Sequence, residues 1–205
     1  MSTTVGEGAF LSSCYILLVP VAGLIFLKKK PAWTAWLGAA IAVVGVYFIS
    51  MEPGQGDIHV TPGNLWMLLA ACGFTWQILE VDEYSKGTDL MWLASIQFGV
   101  VALLSFAGML LFERCSWEDL LLARGSILYA ALVSGAFCYT SQVIAQKHVE
   151  PTLASLIMGA ESVFATLSGV IFLQENIGIR KYIGCALVLA AIVAAQMKVS
   201  GKERA

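Results

Sequence analysis

The sequence has few charged residues and few cysteines, and it lacks the motifs of nucleotide, metal and nucleic-acid sites. Only 13% of its 205 residues are charged and the formal net charge is −2, so no basic arm is available for nucleic acid. It contains no glycine-rich loop of the kind that cradles phosphate. The five cysteines form no Cys-x-x-Cys pair, so neither a disulfide framework nor a zinc site is indicated. We therefore expect no cofactor, no metal and no nucleic-acid partner.

Apolar side chains, in contrast, are abundant. Hydrophobic residues make up 59% of the sequence and the mean hydropathy is +0.80, which is more apolar surface than a soluble core of this length can bury. A bilayer core requires roughly twenty apolar residues per helix. The sequence predicts seven such spans, at Ala9 to Leu27, Trp33 to Met51, Gly63 to Leu79, Leu90 to Phe112, Ser126 to Gln146, Thr152 to Leu173 and Lys181 to Met197. The predicted fold is therefore an all-α, polytopic transmembrane helix bundle in a lipid bilayer.

One polar connection contains a helix signal of its own. Ser116-Trp117-Glu118-Asp119 is typical of a capped helix start, and three leucines follow it directly. This pattern predicts a short helix lying in the membrane surface ahead of the fifth span.

A stretch near the start of the chain recurs near its end. Six residues are identical, without any gap, to residues 146 positions later: Gly23, Ile25, Phe26, Leu27, Gly38 and Ala40 match Gly169, Ile171, Phe172, Leu173, Gly184 and Ala186. Both copies contain the end of one apolar helix, a polar connection and the start of the next. Five predicted crossings separate the copies, so they point in opposite directions, as in the inverted repeats of many secondary transporters.

The distribution of lysine and arginine indicates the orientation, because cytoplasmic connections retain these residues. A cytoplasmic carboxyl terminus places eight of the twelve inside and four outside. The repeat register divides the chain into the last two helices of a first repeat (1–51), a complete five-helix second repeat (63–197) and a cytoplasmic tail (198–205). By this count three helices of the first repeat are absent. We expect a multi-pass protein of the cell (inner) membrane.

Several segments resemble a known family. Leu18-Val19-Pro20 and Trp36-Leu37-Gly38 are similar to the end of the first repeat of EamA-type members of the drug/metabolite transporter superfamily. Gln146 to Ser155, Glu161 to Ala165 and Phe172 to Glu175 resemble the end of the second repeat. The resemblance implies ten helices in two inverted five-helix units, both termini cytoplasmic, and export of a solute.

Glu161 is the one acidic residue near the middle of a predicted span, where a carboxylate costs roughly 2.5 to 3.5 kcal/mol on insertion scales. Two interpretations remain open. In the first, Glu161 is a protonatable or substrate-facing group that lines a central cavity. In the second, it is a protonated glutamate whose hydrogen bond to a neighbouring helix stabilises the bundle.

Three other spans carry polar or aromatic side chains at helical spacing, and such faces are unfavourable against lipid. The residues of interest are Trp76 and Gln77 on the third span, Gln97 on the fourth, and Tyr139 and Gln142 on the fifth. Together with Glu161 they are the predicted substrate-binding residues, although helix packing remains the alternative for each of them. An aromatic residue with two amides favours a polar organic metabolite over a bare ion.

The leading functional hypothesis is a secondary transporter that exports a small metabolite or drug by alternating access. The alternative is a remnant without activity of its own, or a half-transporter that requires a second chain or a homodimer. An enzyme finds little support, because no span contains a histidine, a pair of aspartates or a Gly-x-Ser-x-Gly motif. A seven-helix photoreceptor would require a lysine in mid-span, and every lysine lies at a span end.

Overall fold

The structure is a computed structural model, and it describes residues 5–51, 61–85, 87–112, 116–174 and 178–197. Within those ranges the chain is helical and contains no strand, which confirms the all-α class. The helices are α1 (Val5–Ser13), α2 (Tyr15–Phe26), α3 (Trp33–Ser50), α4 (Pro62–Tyr84), α5 (Leu90–Phe112), α6 (Trp117–Tyr129), α7 (Thr140–Gln146), α8 (Pro151–Met158), α9 (Glu161–Leu173) and α10 (Ile179–Met197). A π-helical segment, Ala130–Tyr139, joins α6 to α7.

Six of the seven predicted spans are long and apolar enough, in the described part of the chain, to cross a membrane. They lie at Glu7–Phe26, Trp33–Ser50, Leu90–Phe112, Trp117–Gln146, Pro151–Phe172 and Ile179–Gln196. The remaining prediction, Gly63 to Leu79, falls within α4, a helix of 23 residues. Polar residues such as Asn64, Gln77 and Glu80 reduce the apolar character of α4, which is why it is not among the six.

The predicted short helix at Ser116 is instead continuous with the helix of the fifth span. The capping box is present, since the Asp119 N–H donates to Ser116 Oγ at 3.2 Å and the Ser116 N–H donates to Asp119 Oδ2 at 3.3 Å. The helix then continues without interruption through the π-helical segment to Gln146. The cap correctly indicated where a helix begins, but the leucines after it belong to the span.

Packing divides the chain into two compact units. The first combines the chain up to Leu79 with the chain from Glu150 onward, and the second is Glu80–Val149. The core of the first unit contains fully buried side chains from α2, α3, α8 and α10, including Ile16, Val46, Leu156 and Val188. In the second unit, α6 and the π-helical segment contain no buried residue.

α3 and α10 approach each other closely because both carry glycine where they cross. A methyl group on Gly45 would lie 2.7 Å from Val188 Cγ2 and 2.9 Å from the Gly184 oxygen, and one on Gly184 would lie 2.6 Å from the Gly45 oxygen. Further along the interface, a methyl group on Gly38 would lie 3.1 Å from the Ala191 oxygen. Lower-numbered residues of α3 thus meet higher-numbered residues of α10, so the two helices are antiparallel.

Several structural features of the first unit recur at the 146-residue interval of the predicted repeat. The α1–α2 interruption at Cys14 has its counterpart 146 residues later, at the α8–α9 interruption Gly159–Ala160. Lys28 and Gln174, which are also 146 residues apart, both follow the end of a span and both adopt a left-handed conformation with φ of 52°. α3 and α10, whose first residues are 146 positions apart, are antiparallel, as an inverted repeat requires.

An inverted repeat predicts that Lys28 and Gln174 lie on opposite sides of the membrane. In a variant without the five native cysteines, we expect a membrane-impermeant maleimide to label Lys28→Cys and Gln174→Cys from opposite faces of sealed vesicles. Lys30→Cys is the matched control, because it lies in the same connection as Lys28 and should be labelled from the same face. Labelling of Lys28→Cys and Gln174→Cys from one face would contradict the inverted arrangement.

Candidate functional site

Both helix interruptions of the first unit border one cavity of about 350 Å³. This volume is within the range of pockets that bind small organic molecules. The lining residues come from α1, α2, α4, α8, the α8–α9 interruption and α9; they are Ala9, Ser12, Ser13, Tyr15, Phe74, Met158, Gly159, Glu161, Ser162 and Ala165. Interrupted transmembrane helices at the contact between inverted repeats are where many secondary transporters bind their solute.

Serine hydroxyl groups donate hydrogen bonds to main-chain carbonyl groups at both interruptions. Ser12 Oγ and Ser13 Oγ donate to the Ala9 oxygen at 3.1 and 2.8 Å. Ser162 Oγ donates to the Gly159 oxygen at 2.8 Å. Such bonds from a serine to the nearby main chain occupy the hydroxyl hydrogen of each side chain.

Glu161 and Tyr15 occupy equivalent positions in the two copies of the repeat. They are 146 residues apart, and each is the first residue of the helix that follows an interruption. Glu161 lies in the first turn of α9, where the helix dipole favours an acidic side chain. The Tyr15 ring packs against Phe74, with centroids 6.0 Å apart and planes tilted by 51°. The cavity is therefore lined by one carboxyl group and by two aromatic rings, one of which is the phenol of Tyr15.

Of the six predicted substrate-binding residues, Glu161 lines this cavity. Trp76 and Gln77 lie on α4 in the same unit but are not among the lining residues. The Trp76 indole is 56% exposed and packs edge-on against Phe26, with centroids 6.1 Å apart. Gln77 has a buried side-chain nitrogen without a hydrogen-bond partner among the described residues. Phe74 is the residue by which α4 contributes to the cavity.

The other three predicted residues belong to the second unit, where two of them are in contact. The Tyr139 hydroxyl donates to Gln97 Oε1 at 3.2 Å, and the Tyr139 ring packs against Phe98 with centroids 5.0 Å apart. Gln142 is half-buried on α7, one turn beyond Tyr139. A role of these three residues in solute binding stays a prediction.

Nine of the ten lining residues were not among the predicted site residues, and the five of them with polar or aromatic side chains are Ser12, Ser13, Tyr15, Phe74 and Ser162. Extending the repeat register backward from Gly23 pairs Tyr15 with Glu161, but between residues 5 and 22 the two copies share no identical residue. The repeat register therefore pairs Tyr15 with Glu161, but the residue types around Tyr15 do not indicate a binding site.

Comparison with known proteins identifies transporters. The EamA-like transporter family matches residues 61–196. An uncharacterized transporter from Archaeoglobus fulgidus is 26% identical over 201 residues, which cover 96% of this chain and 62% of that protein. The threonine/homoserine exporter RhtA from Escherichia coli K12 is 28% identical over 181 residues, which cover 87% of this chain and 58% of RhtA. The chain thus spans about three fifths of the length of these curated relatives.

The fold has a counterpart among solved structures. A protein of known crystal structure superimposes with a TM-score of 0.76 over 95% of this chain and 67% of that protein, at 16% sequence identity. The named relatives are transporters rather than enzymes. Because the family match covers more than half of the sequence and the helical fold agrees with it, the chain belongs to the EamA-like transporter family.

Proposed function

We propose that this protein is a secondary transporter that moves a small polar solute across the cell (inner) membrane by alternating access. The observation that carries the proposal is the cavity at the two repeat-related helix interruptions, with Glu161 on its wall. Half-helices of inverted repeats commonly enclose the solute site, and the repeats then rock about it. In this proposal the carboxyl terminus is cytoplasmic, transport is outward, and the solute binds within the first unit.

The relatives favour an amino-acid-like solute. RhtA is named as a threonine/homoserine exporter, and both of its substrates are small and carry hydroxyl and charged groups. The cavity offers serine hydroxyls to the hydroxyl group of such a solute and a carboxylate to its ammonium group. We therefore propose small, hydroxylated amino acids as the first solutes to test, within the broader class of small metabolites and drugs.

Replacing Glu161 tests this function. We expect proteoliposomes with the parent protein to take up L-threonine or L-homoserine, and Glu161→Gln to reduce uptake at least about tenfold. The reason is that a charged hydrogen bond to solute is worth about 1.5 to 3 kcal/mol, and 1.4 kcal/mol corresponds to a factor of ten. Initial rates of uptake of the radiolabelled amino acids are the measurement.

Glu118→Gln is the matched control, because it removes a carboxylate from the exposed first turn of α6 and should leave uptake unchanged. If Glu161→Gln transports as well as the parent but unfolds at a lower temperature, Glu161 stabilises the bundle and does not bind solute. Uptake of neither amino acid, nor of any member of a wider metabolite panel, would contradict the proposed function.

We also propose the division into repeats that the sequence indicates: residues 1–51 as the end of a first repeat, 63–197 as a complete second repeat, and 198–205 as a tail. The family match to residues 61–196 supports the extent of the second repeat. The features that recur at an interval of 146 residues support the relation between the two.

A second candidate is a half-transporter that acts only with a second chain, such as a homodimer. The observation that favours it is the second unit, in which α6 and the π-helical segment contain no buried residue and the hydroxyl-bearing Ser134 and Ser141 are exposed. The mass of the protein in lipid nanodiscs tests this candidate. A monomer that retains full uptake would reject it.

A further inference from the structure

The polar atoms of the cavity are arranged as hydrogen-bond acceptors. Ser12, Ser13 and Ser162 each donate their single hydroxyl hydrogen to a main-chain oxygen, of Ala9 or Gly159. A hydroxyl group has one hydrogen and two lone pairs, so a ligand meets these three oxygens as acceptors. Glu161 also lines the cavity, and in its ionised form its side chain has acceptor oxygens only. Among the lining residues, the Tyr15 hydroxyl alone remains as a side-chain donor, and the described part of the cavity has no lysine, arginine or histidine.

We propose that the cavity binds the ammonium group of a protonated amine, between the Glu161 carboxylate and the rings of Tyr15 and Phe74. An ammonium group has hydrogen-bond donors and no acceptor, so it complements a cavity wall of acceptors. An anionic head group would require donors instead. The proposal rests on the proposed function only in taking this cavity as the solute site.

Charge and aromatic faces favour the same ligand. A cation at membrane depth requires a compensating negative charge, and Glu161 is the single acidic residue of the cavity wall. Aromatic faces attract a cation through the quadrupole of the ring, more strongly where water is excluded. Tyr15 and Phe74 lie side by side on the same cavity, with centroids 6.0 Å apart. The carboxylate thus supplies charge, while the two rings supply a surface that discriminates a cation from a neutral polar group.

The two residues at equivalent positions of the predicted repeat, Tyr15 and Glu161, carry different side chains. Tyr15 and Glu161 begin equivalent helices and border one cavity, so each is the counterpart of the other across the repeat. If both act on one bound ammonium group, exchanging them should preserve the subsite. A carboxylate at position 15 and a phenol at position 161 would still line the same cavity.

The test compares two probes that differ at one group, 2-phenylethylamine and 2-phenylethanol. With purified protein in lipid nanodiscs, we expect calorimetry to show that the amine binds at least about tenfold more tightly than the alcohol. Glu161→Gln should abolish this preference, and Tyr15→Leu should weaken amine binding about two- to thirtyfold. Tyr15→Phe retains the ring and should change amine binding less than about threefold. The exchange variant Tyr15→Glu/Glu161→Tyr should recover the preference that Glu161→Gln loses.

Equal affinities for the two probes, or no binding of the amine, would overturn the proposal, as would an amine preference that survives in Glu161→Gln. Each variant is first compared with the parent for its elution profile and melting temperature, and only variants that match the parent are used. Uptake of threonine and homoserine is measured separately. An amine preference without uptake of any solute retains the subsite and rejects the transport function, whereas uptake with equal probe affinities rejects the subsite alone.

Discussion

Gly45→Ala is expected to destabilise the protein by about 1 to 3 kcal/mol, the usual cost of forcing an extra methyl group into a packed contact. The added methyl group would lie 2.7 Å from Val188 Cγ2 and 2.9 Å from the Gly184 oxygen. The second of these is main chain, which cannot rotate away, so α3 and α10 must separate. Gly184→Ala should have a similar effect because its methyl group would lie 2.6 Å from the Gly45 oxygen. The melting temperature in detergent, followed by circular dichroism, is the measurement.

The control is Gly99→Ala on α5, where an added methyl group meets nothing within 4 Å. Alanine is a better helix former than glycine by roughly 0.5 to 1 kcal/mol, so this variant should be as stable as the parent or more stable. The double variant Gly45→Ala/Gly184→Ala should lose less than the sum of the single losses, since one separation of the helices accommodates both methyl groups. Additive losses, or a stable Gly45→Ala, would show that the helices do not cross at these glycines.

Filling the cavity is expected to abolish transport without unfolding the protein. Ser12→Trp places a large ring on the wall of a cavity of about 350 Å³. The ring occupies volume that the solute requires, and the open cavity accommodates it without moving the buried core. We expect no uptake above that of empty liposomes and a melting temperature close to that of the parent.

Ser126→Trp is the matched control, because Ser126 is exposed on α6 and a ring there should leave uptake unchanged. If Ser12→Trp transports normally while it elutes and melts like the parent, the solute does not pass through this cavity. The solute would then bind elsewhere in the protein, and the predicted binding residues Gln97, Tyr139 and Gln142 would be the next to mutate.

The site illustrates the limit of prediction from sequence. Glu161 was identifiable because a carboxylate in mid-span is costly and rare. Ser12 and Ser13 gave no such signal, since serine is common in transmembrane helices and its hydroxyl group bonds to its own helix. The side chains of Trp76 and Gln77 predict a role in solute binding. The residue of α4 that lines the cavity is Phe74, whose type is common in any apolar helix.

The sequence by itself determined the all-α membrane class, six of the spans, the start of α6 at Ser116 and the register of the repeat. These properties depend on local hydropathy, on capping over four residues and on identities along the chain. The tertiary structure alone decided that the helix at Ser116 continues into the span, that Gly45 and Gly184 form a helix crossing, and that Tyr15 and Glu161 share a cavity. The physical reason is that helices apolar on all sides carry little sequence information about which face packs against which neighbour, so contacts between residues far apart in the chain are established only when the helices pack.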